Sequence, residues 1–279
     1  MPNNNWPVPA GACDTHFHIY DLAVPMVPGG NQPSQPCELA DYLTVRERLG
    51  LTRAVVVQSS AYGTDNSVTL KAMAALAKLP GSGGARGIAT CDAATPVAEI
   101  QRMDALGMRG FRYFRMSGAG ADWDSVPLMA RRAADVGWHV QLQFDGAELA
   151  ARLPLIEKLP CDVVIDHIGR LHPLFDANDP NWRALLKLVE GGRCWVKLSA
   201  PYHGSKSGAP RYEDMRPFAQ GLLKAAPERM LWATNWPHPM VKSNFPDEME
   251  LLNVLRVWVA DEAAWRRVLV SNPAALYRF

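Results

Sequence analysis

The chain has 279 residues, 48% of them hydrophobic, and its formal net charge is +1 at pH 7. This length allows one large or two small domains, and a near-zero charge without basic runs argues against nucleic acid as a partner. The apolar runs are too short to cross a bilayer and the first residues lack the segments of a signal peptide, so we expect neither membrane association nor export.

Short apolar runs alternate with longer segments of helical spacing along the whole chain. Eight apolar runs predict strands at residues 11–18, 54–58, 87–91, 110–114, 139–144, 162–166, 194–198 and 230–233. Helical spacing predicts helices at residues 39–49, 67–79, 97–106, 126–136, 147–159, 181–189, 211–225, 248–259 and 262–270, with a last short helix from 271.

Strands without internal polar alternation, each followed by a helix, indicate a parallel sheet that is covered on both faces. Eight such units predict a closed (β/α)8 TIM barrel. The alternative is an open doubly wound sheet, but no Gly-x-Gly-x-x-Gly turn follows the first strand. No linker or change in composition divides the chain, so we expect residues 1–279 to form a single domain. The segments 24–36, 117–121 and 200–210 are expected to be loops on one face of the barrel.

Polar side chains follow several predicted strands, at the end of the barrel where such folds hold their active sites. His16 and His18 lie two residues apart in the first strand and therefore point to one face. Such a pair can bind a metal or polarise a carbonyl oxygen. His167 follows the apolar run of the sixth strand. The other candidates at strand ends are Ser59, Arg112, Arg115, Gln143, Arg170, His203, Asn235 and His238, with Arg109 at the start of the fourth strand.

Each of these residues also has a simpler interpretation. Ser59 could cap a helix, Arg109 could pair with a helix carboxylate outside the barrel, and Asn235 could be a structural turn residue. The arginines nevertheless favour an anionic ligand, because guanidinium groups bind carboxylates bidentately and buried unpaired cations are costly.

Three motifs together resemble the amidohydrolase superfamily: DTHFH at residues 14–18, DHIGR at 166–170 and TNWPHP at 234–239. Within it, the chain is similar over nearly its whole length to the branch of 2-pyrone-4,6-dicarboxylate lactonase and the sugar-acid lactone isomerases. The resemblance implies a (β/α)8 barrel in which the catalytic residues are His16, His18, His167 and Asn235. It further implies that Arg109, Arg115 and Arg170 hold substrate carboxylates.

Gln143 and the His203 region stand where that lactonase has a Tyr and an Arg. This departure argues against the pyrone dicarboxylate itself and favours a smaller or more hydroxylated carboxy-lactone.

The resemblance implies that metal-dependent members of the superfamily share further metal ligands: a Lys or Glu on strand 4, a His on strand 5 and an Asp on strand 8. This chain has Gln143 and Asn235 at the last two positions, so no anionic ligand balances a divalent cation. We therefore expect no required metal and no cofactor. The imidazoles of His16, His18 and His167 would instead donate to the lactone carbonyl oxygen as it becomes an oxyanion.

The five scattered cysteines, odd in number and without C-x-x-C spacing, predict neither disulfides nor a zinc site. Free thiols favour the cytoplasm. The expected partner is therefore a small anionic lactone in that compartment.

The expected reaction is metal-independent opening of a carboxylated lactone by water. Asn235 complicates this, because the resemblance implies an Asp that takes a proton from water, and an amide is not basic. Hydrolysis could be suppressed, or His238 or Asp166 could be the base. A substrate hydroxyl could also attack instead, which would convert a 1,5-lactone to a 1,4-lactone. A metal-dependent decarboxylase and a non-catalytic lactone-binding barrel are the remaining alternatives.

Overall fold

The computed structural model describes residues 6–116, 122–171, 176 and 178–279. Eight strands form one sheet in the order of the sequence, and the paired neighbours are parallel. They are β1 (Cys13–Phe17), β2 (Arg53–Val57), β3 (Ala85–Ala89), β4 (Met108–Phe114), β5 (His139–Gln143), β6 (Val163–Ile165), β7 (Cys194–Lys197) and β8 (Met230–Leu231). The prediction of a (β/α)8 barrel is confirmed. The predicted loop at residues 117–121 lies outside the described residues.

Helices follow the strands and cover the outside of the sheet. They are α1 (Leu39–Leu49), α2 (Ser67–Ala77), α3 (Val97–Ala105), α4 (Val126–Asp135), α5 (Leu149–Ile156), α6 (Pro180–Glu190), α7 (Arg216–Ala225), α8 (Glu248–Trp258), α9 (Glu262–Arg266) and α10 (Asn272–Tyr277). Helix α7 begins five residues later than predicted, because a short 3₁₀ turn, Glu213–Met215, precedes it and Pro217 occupies its first turn. No helix of the described part of the chain is both long and apolar enough to span a membrane.

The barrel closes between β1 and the segment after β8. The Thr15 amide donates to the Trp232 carbonyl at 3.2 Å, and the Asn235 amide donates to the His16 carbonyl at 2.9 Å. Strand β8 has two residues, so the irregular segment after it supplies these hydrogen bonds to β1. The closure therefore places the backbone of Asn235 directly beside that of His16.

A bulge in β1 directs the side chains of this strand. The register of β1 against β2 shifts between Asp14 and Phe17. Both residues face Tyr42 of α1: the Tyr42 hydroxyl donates to Asp14 Oδ2 at 3.2 Å, and the Phe17 ring stacks on Tyr42 at 3.7 Å. Bulges of this kind re-aim side chains next to active sites. Here the bulge leaves His16 and His18 together on the inner face.

Candidate active site

Three buried histidines form a cluster at the carboxyl end of the barrel. His16 lies in β1 and His18 directly follows it, and their Nε2 atoms lie 3.2 Å apart. His167 comes from the short turn after β6, and its ring centroid lies 4.8 Å from that of His16. The turn is strained, since His167, Ile168 and Arg170 have φ between +48° and +55°. Strain of this kind is concentrated at functional sites.

The hydrogen bonds of His18 set the proton positions of the pair. His18 Nδ1 lies 2.7 Å from the Val57 carbonyl oxygen and must therefore carry a hydrogen. In the neutral ring His18 Nε2 is then an acceptor, so the hydrogen between the two rings belongs to His16 Nε2. His16 Nδ1 is in turn an acceptor. Burial lowers the pKa of His18 to about 3, which keeps that ring neutral.

Lys197 of β7 supplies the donor that His16 Nδ1 needs. Its ammonium group is fully buried and lies 2.7 Å from Gln141 Oε1, 3.1 Å from His16 Nδ1 and 3.3 Å from Asp166 Oδ1. All three of its hydrogens therefore have acceptors. Burial lowers the pKa of Lys197 to about 8. Burial and the nearby Lys197 charge hold the pKa of His16 well below its ordinary value.

His167 is the member of the cluster with a free ring nitrogen. Its Nδ1 lies 2.9 Å from the Ser199 hydroxyl, whereas its Nε2 is buried and has no partner within the described ranges. Burial lowers the pKa of His167 well below its ordinary value, so the ring is neutral. The His203 ring lies 5.4 Å away, in the turn Pro201–His203 after β7. His167 can therefore donate to, or accept from, a bound molecule.

Two guanidinium groups at this end have no carboxylate within ion-pair distance among the residues that the structure describes. Arg112 of β4 donates to the Gln58 carbonyl at 2.7 Å and to Gln143 Oε1 at 3.1 Å, and its buried Nε has no partner there. Arg170 is held by a 3.9 Å contact to Met240 Sδ. Because a buried guanidinium without an anion is costly, the pair fits a negatively charged ligand.

Asn235 begins a chain of hydrogen bonds that runs beside the cluster. Its side-chain Nδ2 lies 2.7 Å from the Tyr202 hydroxyl, and that hydroxyl lies 2.8 Å from His238 Nδ1. His238 Nε2 lies 3.3 Å from Glu248 Oε1, and Arg48 Nη2 donates to Glu248 Oε2 at 2.7 Å. Both ring nitrogens of His238 are therefore engaged, and the substrate-binding role predicted for this residue has no free donor to support it.

The amidohydrolase family model matches residues 13–279, which include all three sequence motifs. The chain belongs to the amidohydrolase family. It is 33% identical over 274 residues to D-galactarolactone isomerase of Agrobacterium fabrum, an alignment that covers 97% of this chain and 92% of the relative. It is 32% identical over 283 residues to 2-pyrone-4,6-dicarboxylate hydrolase of Comamonas testosteroni, with 97% and 91% covered.

A solved structure shares the fold over nearly the whole chain. The ligand-free crystal structure of an Agrobacterium tumefaciens protein superposes with a TM-score of 0.90 at 33% identity. The superposition covers 99% of this chain and 98% of that chain.

Arg109 is the predicted site residue that the structure places elsewhere. It lies at the start of β4, at the opposite end of the barrel, where its Nη1 donates to Asp104 Oδ1 and to the Asp104 carbonyl, both at 3.0 Å. Arg109 therefore lies apart from the histidine cluster, and its contacts are those of the simpler interpretation, a pair with a helix-end carboxylate.

Two further predicted residues have local partners. Arg115 lies at the rim, with its side chain 43% exposed and 3.3 Å from Asp122 Oδ1. The Ser59 hydroxyl accepts from the Ala61 amide at 3.2 Å and caps the turn Ser60–Tyr62, which is the simpler interpretation of that residue.

Asp14 is a structural carboxylate that the sequence motif does not distinguish from a catalytic one. It accepts from the His16 amide, the Thr234 amide, the Thr234 hydroxyl and the Tyr42 hydroxyl at 2.6–3.2 Å. These bonds tie β1 to the segment after β8. Burial raises the pKa of Asp14 to about 6. With four donors around its two oxygens, Asp14 has no lone pair left for a substrate.

The resemblance implies metal-dependent relatives, and a divalent cation would have to fit the charges of this site. The ligand atoms of His16, Asp166 and His167 lie within 4.8 Å of one another. However, the Lys197 ammonium lies against two of these residues, at 3.1 Å from His16 Nδ1 and 3.3 Å from Asp166 Oδ1. A divalent cation would add two positive charges beside an ammonium group, with Asp166 as the anionic ligand. These donors do not fit a resident metal.

Proposed function

We propose that this amidohydrolase converts a carboxylated lactone without a required metal and without a cofactor. The observation that carries the proposal is the pairing of a neutral histidine cluster with two guanidinium groups, Arg112 and Arg170, that have no carboxylate partner among the described residues. Relatives named for D-galactarolactone and for 2-pyrone-4,6-dicarboxylate support the substrate class.

His167 is the residue that would polarise the lactone carbonyl. If the Ser199 hydroxyl donates to Nδ1, the hydrogen of the neutral ring lies on Nε2, the nitrogen without a partner. That N–H can then donate to the carbonyl oxygen as it gains negative charge. The His16 N–H points to His18 in the ligand-free arrangement, so a bound oxygen would have to share it.

The reaction that the geometry supports best is isomerisation, in which a substrate hydroxyl attacks the lactone carbonyl. Asn235 stands at the strand 8 position where the resemblance implies an Asp in the hydrolytic relatives. Its side-chain amide already donates to the Tyr202 hydroxyl. Asp14 is saturated by four donors, and Asp166 faces Lys197 and Gln141. No carboxylate of the described site is thus available to activate water.

Hydrolysis, the reaction expected first from the sequence, is the second candidate. The free Nε2 of His167 favours it, because a neutral imidazole can take a proton from water. The two reactions differ in proton balance: at neutral pH hydrolysis releases one proton from the new carboxylic acid, whereas isomerisation releases none.

The test follows chelator-treated protein with 1,5- and 1,4-lactones of sugar diacids, and with the pyrone dicarboxylate, by proton NMR and by titration at constant pH. We expect one lactone to become another without proton release. An open-chain acid with one proton released per turnover would establish hydrolysis. Turnover that appears after zinc or manganese is added would refute the metal-independent proposal, and carbon dioxide release would identify a decarboxylase.

We also propose a cytoplasmic location and no nucleic-acid partner. The five cysteines are all free thiols, which fits a reducing compartment, and the net charge of +1 provides no basic field. Cell fractionation with an antibody to the native protein tests the location.

A further inference from the structure

Four side chains from three parts of the chain form one continuous hydrogen-bonded line beside the histidine cluster. Asn235 and His238 follow β8, Tyr202 lies in the turn after β7, and Glu248 begins α8. Successive polar atoms are 2.7, 2.8 and 3.3 Å apart. The line starts at the strand 8 position that lacks a carboxylate and ends at an ion pair with Arg48.

The chemistry of the donors sets the direction of the protons. The Asn235 amide nitrogen can only donate, so the Tyr202 oxygen accepts from it. The single hydroxyl hydrogen of Tyr202 is then directed to His238 Nδ1, and the His238 N–H is directed to Glu248 Oε1. Each of the three hydrogen bonds thus joins one donor to one acceptor, and the Tyr202 oxygen keeps one lone pair for a further donor.

We propose that Tyr202 is the catalytic group that takes a proton from the attacking substrate hydroxyl and returns it to the leaving ring oxygen. His238 and Glu248 are its positioning residues. This inference rests on the proposed isomerisation, in which a proton moves from one substrate oxygen to another and no water is consumed.

The step balances without a co-reactant. As the substrate oxygen bonds to the carbonyl carbon, its proton passes to the Tyr202 oxygen and the Tyr202 proton passes to His238 Nδ1. The resulting imidazolium lies against the Glu248 carboxylate, as in a Ser-His-Asp triad. When the carbonyl re-forms, the bond to the ring oxygen breaks, that oxygen takes the proton from Tyr202, and His238 returns its proton to Tyr202.

Tyr202 lies near the cluster, with one ring between them. Its ring lies 4.7 Å from His203, and the His203 ring lies 5.4 Å from His167, so one imidazole separates Tyr202 from the cluster. Burial raises the pKa of Tyr202, which disfavours a free phenolate and favours a transfer in which the hydroxyl gains one proton as it loses another.

The first measurement requires no substrate. Nitrogen-15 NMR of histidine-labelled protein, with His238 assigned through a His238→Gln variant, reports which ring nitrogen carries the hydrogen. We expect a neutral His238 with its hydrogen on Nε2, and an Nδ1 signal that moves in Tyr202→Phe. A hydrogen on Nδ1, or an Nδ1 signal unchanged in that variant, would overturn the relay.

The second measurement is kinetic and compares Tyr202→Phe with Tyr212→Phe, which removes the hydroxyl of another tyrosine of the same loop region, one whose side chain is largely buried. General acid–base catalysis is typically worth about 100- to 10,000-fold, so we expect Tyr202→Phe to lower kcat by at least about 100-fold. Tyr212→Phe should retain kcat within about threefold. Product affinity and the thermal unfolding midpoint of Tyr202→Phe should stay near wild type, which separates lost chemistry from lost folding.

A failure of this inference can be distinguished from a failure of the proposed function. If the wild-type protein converts no lactone, the proposed function is wrong and the NMR result alone decides the relay. If the wild-type protein isomerises a lactone and Tyr202→Phe turns it over at the wild-type rate, the proton passes elsewhere and the inference is wrong. A solvent deuterium isotope effect on kcat, lost in Glu248→Gln, would support the role of His238 and Glu248.

Discussion

Replacing Lys197 with Met removes a buried ammonium group on which His16 depends. Three contacts would be lost: 2.7 Å to Gln141, 3.1 Å to His16 and 3.3 Å to Asp166. Asp166 would keep a hydrogen bond from Gln141 Nε2 at 3.1 Å but lose its charged partner. His16 Nδ1, 3.3 Å from Asp166 Oδ1, would then take the hydrogen itself. Its Nε2 would face His18 Nε2 with no hydrogen between them.

Breaking a buried ion pair by removing one partner costs about 3–5 kcal/mol. Because Gln141 still supports Asp166, we expect the low end, about 3 kcal/mol, which lowers the unfolding midpoint by roughly 6 °C in a chain of this size. The Lys197→Met, Asp166→Asn double variant removes the orphaned charge and should regain most of that loss. The wrong His16 tautomer should lower kcat by about 100-fold, comparable to the loss of one oxyanion donor.

Guanidinium unfolding, histidine NMR and steady-state kinetics at pH 7 provide the three readouts. The pH profile provides a fourth: burial lowers the pKa of Lys197 to about 8, so wild-type kcat should fall above pH 8 as the ammonium loses its proton. The charged groups that face Lys197 are Asp166, Arg112 and Asp14. Stability within 1 kcal/mol of wild type, together with an unchanged His16 tautomer, would refute the role assigned to this ammonium group.

Three further predictions follow from the structure. Asn235→Asp should place a base at the strand 8 position and raise the rate of proton release by about 100-fold or more, measured by titration at constant pH; an unchanged rate would show that water is excluded for another reason. Arg109→Ala should leave kcat/KM within twofold, whereas Arg112→Ala should raise KM at least about tenfold, because only Arg112 lies at the site. Stability should fall below pH 6.5 by about 1 kcal/mol per pH unit for each buried neutral histidine, since the unfolded imidazoles bind more protons. Asp14, whose pKa is raised to about 6, should offset this partly, and denaturant titrations from pH 7 to 5 measure the net slope.

The order and number of the barrel strands could be predicted from the sequence, because buried parallel strands are short apolar runs and helices have their own spacing. Strand ends were less predictable. The predicted eighth strand, residues 230–233, is reduced to Met230–Leu231, since Trp232 and the residues after it bond irregularly to β1. The start of α7 was displaced by a turn, which local spacing does not reveal.

Some residues of the site could be predicted from the sequence, and others could not. His16, His18, His167 and Asn235 are adjacent to strand ends in the sequence, and the barrel topology alone brings them together. Glu248 carried no signal, because it lies at a helix start ten residues from its partner His238. Arg109 lies at the amino end of its strand, as its position in the sequence indicated, whereas the resemblance grouped it with the carboxylate-binding arginines.

The sequence by itself determined the fold class, the family and the chemical types at the strand ends, since these depend on spacing and residue identity. Which nitrogen of each histidine carries a proton, which arginine has no anion beside it, and whether a lysine lies at the metal position were decided only by the tertiary structure. These properties depend on contacts of 2.7–3.3 Å between residues as much as 181 positions apart, and such distances are set by how β1, β5, β6 and β7 close around one another.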